Sequence, residues 1–372
     1  MTHQPLIPLN DLSRSWIASD PAVERAVSEV LRGGWYIHGP QHEYFENELA
    51  EFIGTAGAVG VNSGTDALTL ALAALGAERG SVIGTAANAG GYASVAAQAL
   101  GCKVQIVDVN PATGVIGVDE AANSDHGDLQ FLVLTHLYGN VADAEILRAW
   151  CDSNAILLVE DCAQAIGGRV GEARVGSFGH AACFSFYPTK NLGGAGDGGA
   201  ITSQDPNVLE RARRLRNYGW GKRYVIDDPH GRNSRLDELQ AAILRIGLGR
   251  IDSLNAARRG IVARYAESLE ESTNLRMLTQ ASPECTAHLA VVASRTRAAQ
   301  RRLHSKLRDH GVSFSEHYPI PDHQQPGLSH IAPVADLPGT EVLSGSVTTI
   351  PAFPEMSAEE IGRVADAVRD AG

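Results

Sequence analysis

From about residue 57 the chain alternates short β-rich runs with helical stretches, and this alternation restricts its possible folds more than any other feature. The β-rich runs are 58–61, 104–107, 131–134 and 156–159. Helical patterns occupy about 65–76, 91–100 and 143–153 between them. Strand–helix alternation predicts an α/β fold with a mostly parallel sheet covered on both faces. Two further β-like runs, 181–185 and 199–202, are followed by helices at about 207–217 and 235–250. Upstream, Asp20 caps a helix with Pro21 in its first turn, and Val23, Val27, Val30 and Leu31 keep helical spacing. Tyr44, Phe45, Leu49 and Phe52 outline a second helix.

A charged helix at about 254–271 leads into a sparser unit. Strands near 287–292 and 346–350, a helix near 296–310 and a last helix from Ser357 make it a smaller α/β unit. The expected division is a large unit over 1–255 and a small one over 256–372. The span 317–340 is rich in Pro and His and is expected to be a long ordered loop. Loops of that length inside a compact unit are often functional.

Composition removes several function classes. With 44% hydrophobic and 20% charged residues, the chain can bury a core. A net charge of −12 argues against a nucleic-acid partner. The five cysteines are scattered, with no CxxC pair, so neither a disulfide framework nor a zinc site is suggested. His38 and His42 share one helical face, but no third ligand is near, so surface histidines and no metal are expected. The N-terminal segment does not resemble a signal peptide, and no apolar run reaches the ~18 residues of a membrane span. A cytoplasmic protein without a membrane partner is expected.

Three segments carry chemistry. The first is FSFYPTKN, 184–191, in which Lys190 follows an apolar β-run and a proline and precedes five glycines within 193–199. Most lysines are solvated surface charges. A lysine sheltered here would have a lowered pKa and act as a nucleophilic amine toward an aldehyde. Gly194, Gly196 and Gly199 match GxGxxG, but a β-like run follows them where a dinucleotide fingerprint needs a helix. The second segment ends the run AILLVE, 155–160, where Asp161 sits at the C-terminal end of a buried strand. Open α/β sheets place ligands there. Asp161 is either a capping residue or a partner for a protonated pyridine nitrogen, and Gln164 can reach the same ligand. The third is GVNSGTDAL, 60–68, a strand–turn–helix junction with hydroxyls. It offers an anion site, or simple helix capping by Ser63 or Thr65.

Taken together, NSGTDAL (62–68), EDCAQA (160–165), CFSFYPTKN (183–191), GDGG (196–199) and NSRLDELQAA (233–242) resemble the DegT/DnrJ/EryC1/StrS family of sugar aminotransferases. The resemblance runs from GWYIHG, 34–39, to the end of the chain. It implies the aspartate-aminotransferase fold, fold type I, and pyridoxal 5'-phosphate as cofactor. It implies that Lys190 holds the cofactor as a Schiff base and later moves the proton, with Asp161 on the pyridinium nitrogen and Gln164 at the ring. Gly64, Thr65 and Ser185 would bind the phosphate, and Asn233 would reach the phosphate of a neighbouring subunit in a homodimer. Tyr224 and Arg235 are candidates for the same interface or for the sugar nucleotide. Where the family has a Pro-containing segment ending in a stacking aromatic, this chain has GTAANAGGYAS, 84–94, and Tyr92 takes that place. Members with His in place of the lysine follow other chemistry, and Lys190 closes that route.

The implied reaction moves an amino group from L-glutamate to a nucleotide-linked keto sugar. HYPIPDHQQP, 317–326, is similar to the HYPxPxHxQ loop of members that aminate C3 of 6-deoxyhexoses. This favours a dTDP-linked 3-keto substrate and brings in His317 and Tyr318 as sugar contacts. A 4-keto substrate, or a non-catalytic regulator that binds the cofactor on the same fold, is the alternative.

Overall fold

The computed structural model describes residues 5–124, 126–328, 330–331 and 336–372. Seven strands form the main sheet: β1 (Gly57–Val61), β2 (Val82–Ala86), β3 (Lys103–Val107), β4 (Phe131–Thr135), β5 (Leu157–Asp161), β6 (Ala181–Ser185) and β7 (Gly199–Ser203). Their order is β1-β7-β6-β5-β4-β2-β3. Neighbours from β6 to β3 pair parallel, and β7 runs against both β6 and β1.

The sheet is covered on both faces, so its strands are apolar at consecutive positions rather than alternate ones. Val133 and Val159 point into a core shared with the helices Gly64–Ala74, Tyr92–Ala99 and Pro206–Leu215. Leu132 and Leu158 point the other way, toward Leu147 and Cys151 of the helix Ala144–Ser153. Phe184 and Ala200 meet the helices Pro40–Ile53 and Glu238–Leu248 on that second face. Gly64–Ala74 is buried at eight consecutive positions, as expected of a helix without a polar face.

β2 lies inside the sheet, between β4 and the edge strand β3, although nothing in the sequence pattern marked it. Its sequence, VIGTA, has a glycine at its centre. A Cβ on Gly84 would lie 2.9 Å from Leu129 Cδ1, so close packing selects the residue that weakens the β signal.

A second sheet holds β8 (Leu275–Met277), β9 (Ala290–Ser294) and β10 (Val347–Ile350), all antiparallel. The helices Arg297–Asp309 and Ala358–Arg369 share a core with it. Val291, Ala293 and Val347 instead join the second-face core of the main sheet. Asn140 stitches the two sheets together. Its Nδ2 donates to Thr113 O at 2.7 Å and Leu278 O at 2.9 Å, and its Oδ1 accepts from Gln280 N at 2.8 Å. The helix Ile251–Glu267 runs unbroken through position 255. Ile251 packs in the large-sheet core, while Ile261, Val262 and Tyr265 pack in the small-sheet core.

Two expectations need correction. The proposed loop 317–340 contains the turns Asp322–Gln324 and Pro326–Leu328 and the start of the helix Pro338–Leu343, with residues 329 and 332–335 outside the described residues. His42 is not a surface histidine but is 3% exposed. Arg216 Nη1 donates to its Nε2 at 3.0 Å, and burial holds its pKa down at about 4, so the ring is a neutral acceptor. His38 is half-buried and meets Asn217 Oδ1 at 3.1 Å through Nε2.

Candidate active site

β5 delivers Asp161 at its last residue, as the parallel topology predicts for a ligand-facing strand end. Asp161 is buried, with Oδ1 accepting from Ala163 N at 3.0 Å and Oδ2 from Thr135 Oγ1 at 3.3 Å. Burial pushes its pKa up, and these donors and the nearby Lys190 oppose the shift.

The preceding Glu160 faces the opposite side of the strand. Its Oε1 accepts from Phe178 N and Gly179 N, and its Oε2 from Gly176 N and His136 Nε2. His136 Nδ1 accepts from Ala142 N at 3.1 Å, so its proton lies on Nε2. His136, Glu160 and Cys162 hold potential ligand atoms within 4.8 Å of one another. The carboxylate is already used by four donors, which tie His136 and the segment 176–179 to the strand that ends in Asp161.

Lys190 leaves β6 through a tight turn closed by Lys190 N donating to Tyr187 O at 2.8 Å. Its side chain opens to a cavity, while protein encloses it elsewhere. Burial lowers its pKa to about 8 against the pull of Asp161. An amine near neutrality in pKa is a competent nucleophile and proton carrier.

The third wall is the start of the helix Gly64–Ala74. Ser63 caps it by accepting from Asp66 N at 3.2 Å. The first N–H groups of a helix have no acceptor within it, so Gly64 and Thr65 offer donors to an anion. A Cβ on Gly64 would sit 2.6 Å from Ser185 Cβ, and one on Gly199 would sit 2.4 Å from Ser63 O. Glycine at both positions lets the turn press against β6 and β7 and brings the Ser185 hydroxyl beside those donors.

The cavity between these walls measures about 490 Å³. It brings together Gly64, Thr65, Tyr92, Asp161, Gln164, Ser185, Lys190, His317 and Tyr318, all expected from the sequence. Gln164 is held by Tyr138 N, which donates to Oε1 at 2.6 Å, and its Nε2 reaches Tyr318 Oη at 3.4 Å. Tyr92 and Tyr318 meet edge to face with ring centroids 6.2 Å apart. His317 Nδ1 lies 2.9 Å from Thr349 Oγ1. Asn233, Arg235 and Tyr224 do not line this cavity. Tyr224 lies in the exposed hairpin Trp220–Ile226, and Asn233 bridges Asn217 nearby.

Thr189, Asp197 and His288 also line the cavity and were missed. Thr189 and Asp197 flank expected residues, and their proximity was the available signal. His288 lies in CTAHLAVV, 285–292, where no spacing distinguishes it from an interior histidine.

The profile of the DegT/DnrJ/EryC1/StrS aminotransferase family matches residues 19–369. The chain belongs to this family. It is 37% identical over 371 residues to the dTDP-3-amino-3,4,6-trideoxy-alpha-D-glucose transaminase of Streptomyces venezuelae, covering 98% of this chain and 96% of that one. Among solved structures it is similar to S. venezuelae DesV in complex with a ketimine intermediate, with a TM-score of 0.91, 36% identity and 98% of each chain covered. It is also similar to NtdA of Bacillus subtilis with bound cofactor PMP, with a TM-score of 0.90, 26% identity, and 99% of this chain and 86% of that one covered.

This DegT/DnrJ/EryC1/StrS protein is therefore a pyridoxal-phosphate-dependent aminotransferase with the fold of its relatives. Its cavity fits that cofactor. It offers an amine for the carbonyl and a buried carboxylate for a cationic ring nitrogen. It also offers a helix start, pressed against Ser185 by two glycines, for the phosphate.

Proposed function

We propose that the protein transfers the amino group of L-glutamate to C3 of a dTDP-linked 3-keto-6-deoxyhexose. It does so as a homodimer in which Asn233 serves the phosphate site of the partner subunit. The observation that carries this reading is one cavity that joins the low-pKa Lys190 and Asp161 to His317 and Tyr318 of the HYPIPDHQQP loop. The similar S. venezuelae transaminase, named for a 3-amino sugar nucleotide, supports the same position.

Pyridoxal phosphate, when bound, supplies an electron sink for the bond broken at the amino donor's Cα. Lys190 Nζ would take up the proton released from the donor's Cα and later give it back. Asp161 keeps the ring nitrogen protonated, and Thr135 and Ala163 hold its carboxylate in place. Gly64, Thr65 and Ser185 would hold the phosphate, Tyr92 would stack on the ring, and Gln164, fixed by Tyr138, would contact it. His317 and Tyr318 would contact the sugar, and Tyr224 and Arg235 are assigned to the nucleotide or the partner subunit.

Turnover of paired 3-keto and 4-keto dTDP-hexoses with L-glutamate, with products assigned by NMR, tests the reading. A 3-amino product is expected. Turnover of the 4-keto sugar alone would overturn the C3 assignment, and failure of glutamate to yield the pyridoxamine form would overturn the donor.

A further inference from the structure

His288 has no task in the chemistry above, yet it lines the same cavity as Lys190 and is buried. Its Nδ1 lies 2.8 Å from Asn191 Oδ1, on the residue next to the lysine. The polarity of that bond is fixed from its far end. Asn255 Nδ2 donates to Ile166 O at 2.9 Å, so Asn255 Oδ1 faces Asn191 and accepts from its Nδ2 at 2.7 Å. The same Asn191 Nδ2 donates to Thr286 O at 3.1 Å. Main-chain carbonyls only accept, so neither amide can be reversed, and Asn191 Oδ1 must accept from His288 Nδ1–H. Nε2 is then the unprotonated nitrogen.

The surroundings keep the ring neutral. Burial comes first, and Lys190, Arg258 and His317, the basic groups that face it, add to the cost of a proton. Among the described residues, neither His288 Nε2 nor Lys190 Nζ has a hydrogen-bond partner. A bare acceptor and an amine with unused N–H groups thus line one cavity.

We propose that His288 is a positioning residue for Lys190, its Nε2 accepting a hydrogen bond from the Lys190 amine during the proton transfer that the amine carries out. The bond turns the amine lone pair toward the carbon from which it takes a proton. A neutral acceptor does this without the strong pKa increase that a second carboxylate would cause. The proposal rests on Lys190 being the reactive lysine.

The test uses the holoenzyme with 15N-labelled histidine rings, the His288 signal being identified by its loss in His288→Gln. A neutral ring protonated on Nδ1 is expected through roughly pH 6–9. A cationic ring, or a proton on Nε2, would overturn the proposal. In kinetics, His288→Phe keeps a ring but removes the acceptor. Its kcat is expected to fall on the order of 100-fold, with KM for both substrates nearly unchanged, and His288→Gln should recover part of the loss. Wild-type kcat in His288→Phe, or no recovery in a folded His288→Gln, would sink the idea.

Asn191→Asp places a carboxylate on Nδ1 and favours the imidazolium, so its kcat should be low at neutral pH and rise toward alkaline pH. A flat profile would count against the proposal even if His288→Phe failed to fold. If Lys190→Ala kept the visible cofactor absorbance, the lysine assignment itself would fail, a result separate from the tautomer measurement.

Discussion

The low pKa of Lys190 has a consequence for stability as well as reactivity. The folded protein lowers the amine from 10.5 to about 8, chiefly by burial. Below about pH 8 the amine is charged in both folded and unfolded chains, and the folded chain bears the full cost of enclosing that charge. As pH rises to the unfolded value the cost disappears, because the unfolded chain also loses its proton. Cofactor-free Lys190→Met is therefore expected to be more stable than cofactor-free wild type at pH 7, by about 3 kcal/mol. The gap should shrink as the pH approaches 10.5. Urea titrations at the two pH values measure it, and a gap independent of pH would contradict the assignment of burial as the cause. At this scale, Lys190 and Asp161 were legible because each follows an apolar strand and sits in a distinctive segment. His288 was not legible, since its partner Asn191 and the Asn255 that orients Asn191 are remote in sequence and only folding aligns them.

Among the elements, the turn Asp322–Gln324 joins the HYPIPDHQQP loop to the helix Tyr92–Ala99. Asp322 N donates to Ala87 O at 2.9 Å, and its carboxylate accepts from Ser94 Oγ at 2.5 Å. The tie fixes the loop carrying Tyr318 against the segment carrying Tyr92. Burial pushes Asp322 up to about 6. Its ionised form is therefore costly in the folded protein. That cost is absent below the unfolded value of 3.8 and is complete above about 6. Asp322→Asn keeps an oxygen for Ser94 and is expected to raise stability by about 2 kcal/mol at pH 7.5 but hardly at pH 4. Thermal melts at both pH values test this, and equal effects would show that ionisation is not the cause. Most strands and helices were legible from apolar runs and spacing. β2 was hidden because Gly84 packs against Leu129 in the sheet interior. His42 was misjudged because its neighbours Arg216 and Gly60 come from distant segments.

For the whole molecule, exposed apolar side chains occur on segments joined to the one that carries Asn233. Tyr224, Ile226 and Trp35 are 71%, 66% and 61% exposed. They flank a region tied together by the bridges of Ile37 with Asp237 and Asn217 with Asn233. Large exposed apolar side chains in one neighbourhood mark contact surfaces, and the proposed homodimer would cover them. Ile226→Asp is expected to shift sedimentation toward monomer and to lower activity in proportion to the dimer lost. A fully active monomer would contradict the shared site. The mostly parallel sheet was legible from the order of its elements. The union of the two sheets through Asn140 was not, because it depends on carbonyls at Thr113 and Leu278 that no side-chain pattern reveals.

The unbroken helix Ile251–Glu267 bears on how relatives could be recombined. Arg258 donates to Ala352 O at 2.7 Å and His288 O at 3.2 Å, and Tyr265 donates to Pro351 O at 2.9 Å. All three acceptors are main-chain atoms, which the backbone of any relative with this fold presents. Asn255 instead pairs with the side chain of Asn191, upstream in the chain. A chimera spliced between 268 and 274 would keep that amide pair within one parent, and Arg258 and Tyr265 would ask only carbonyls of the other. A splice at 255 would cut across it.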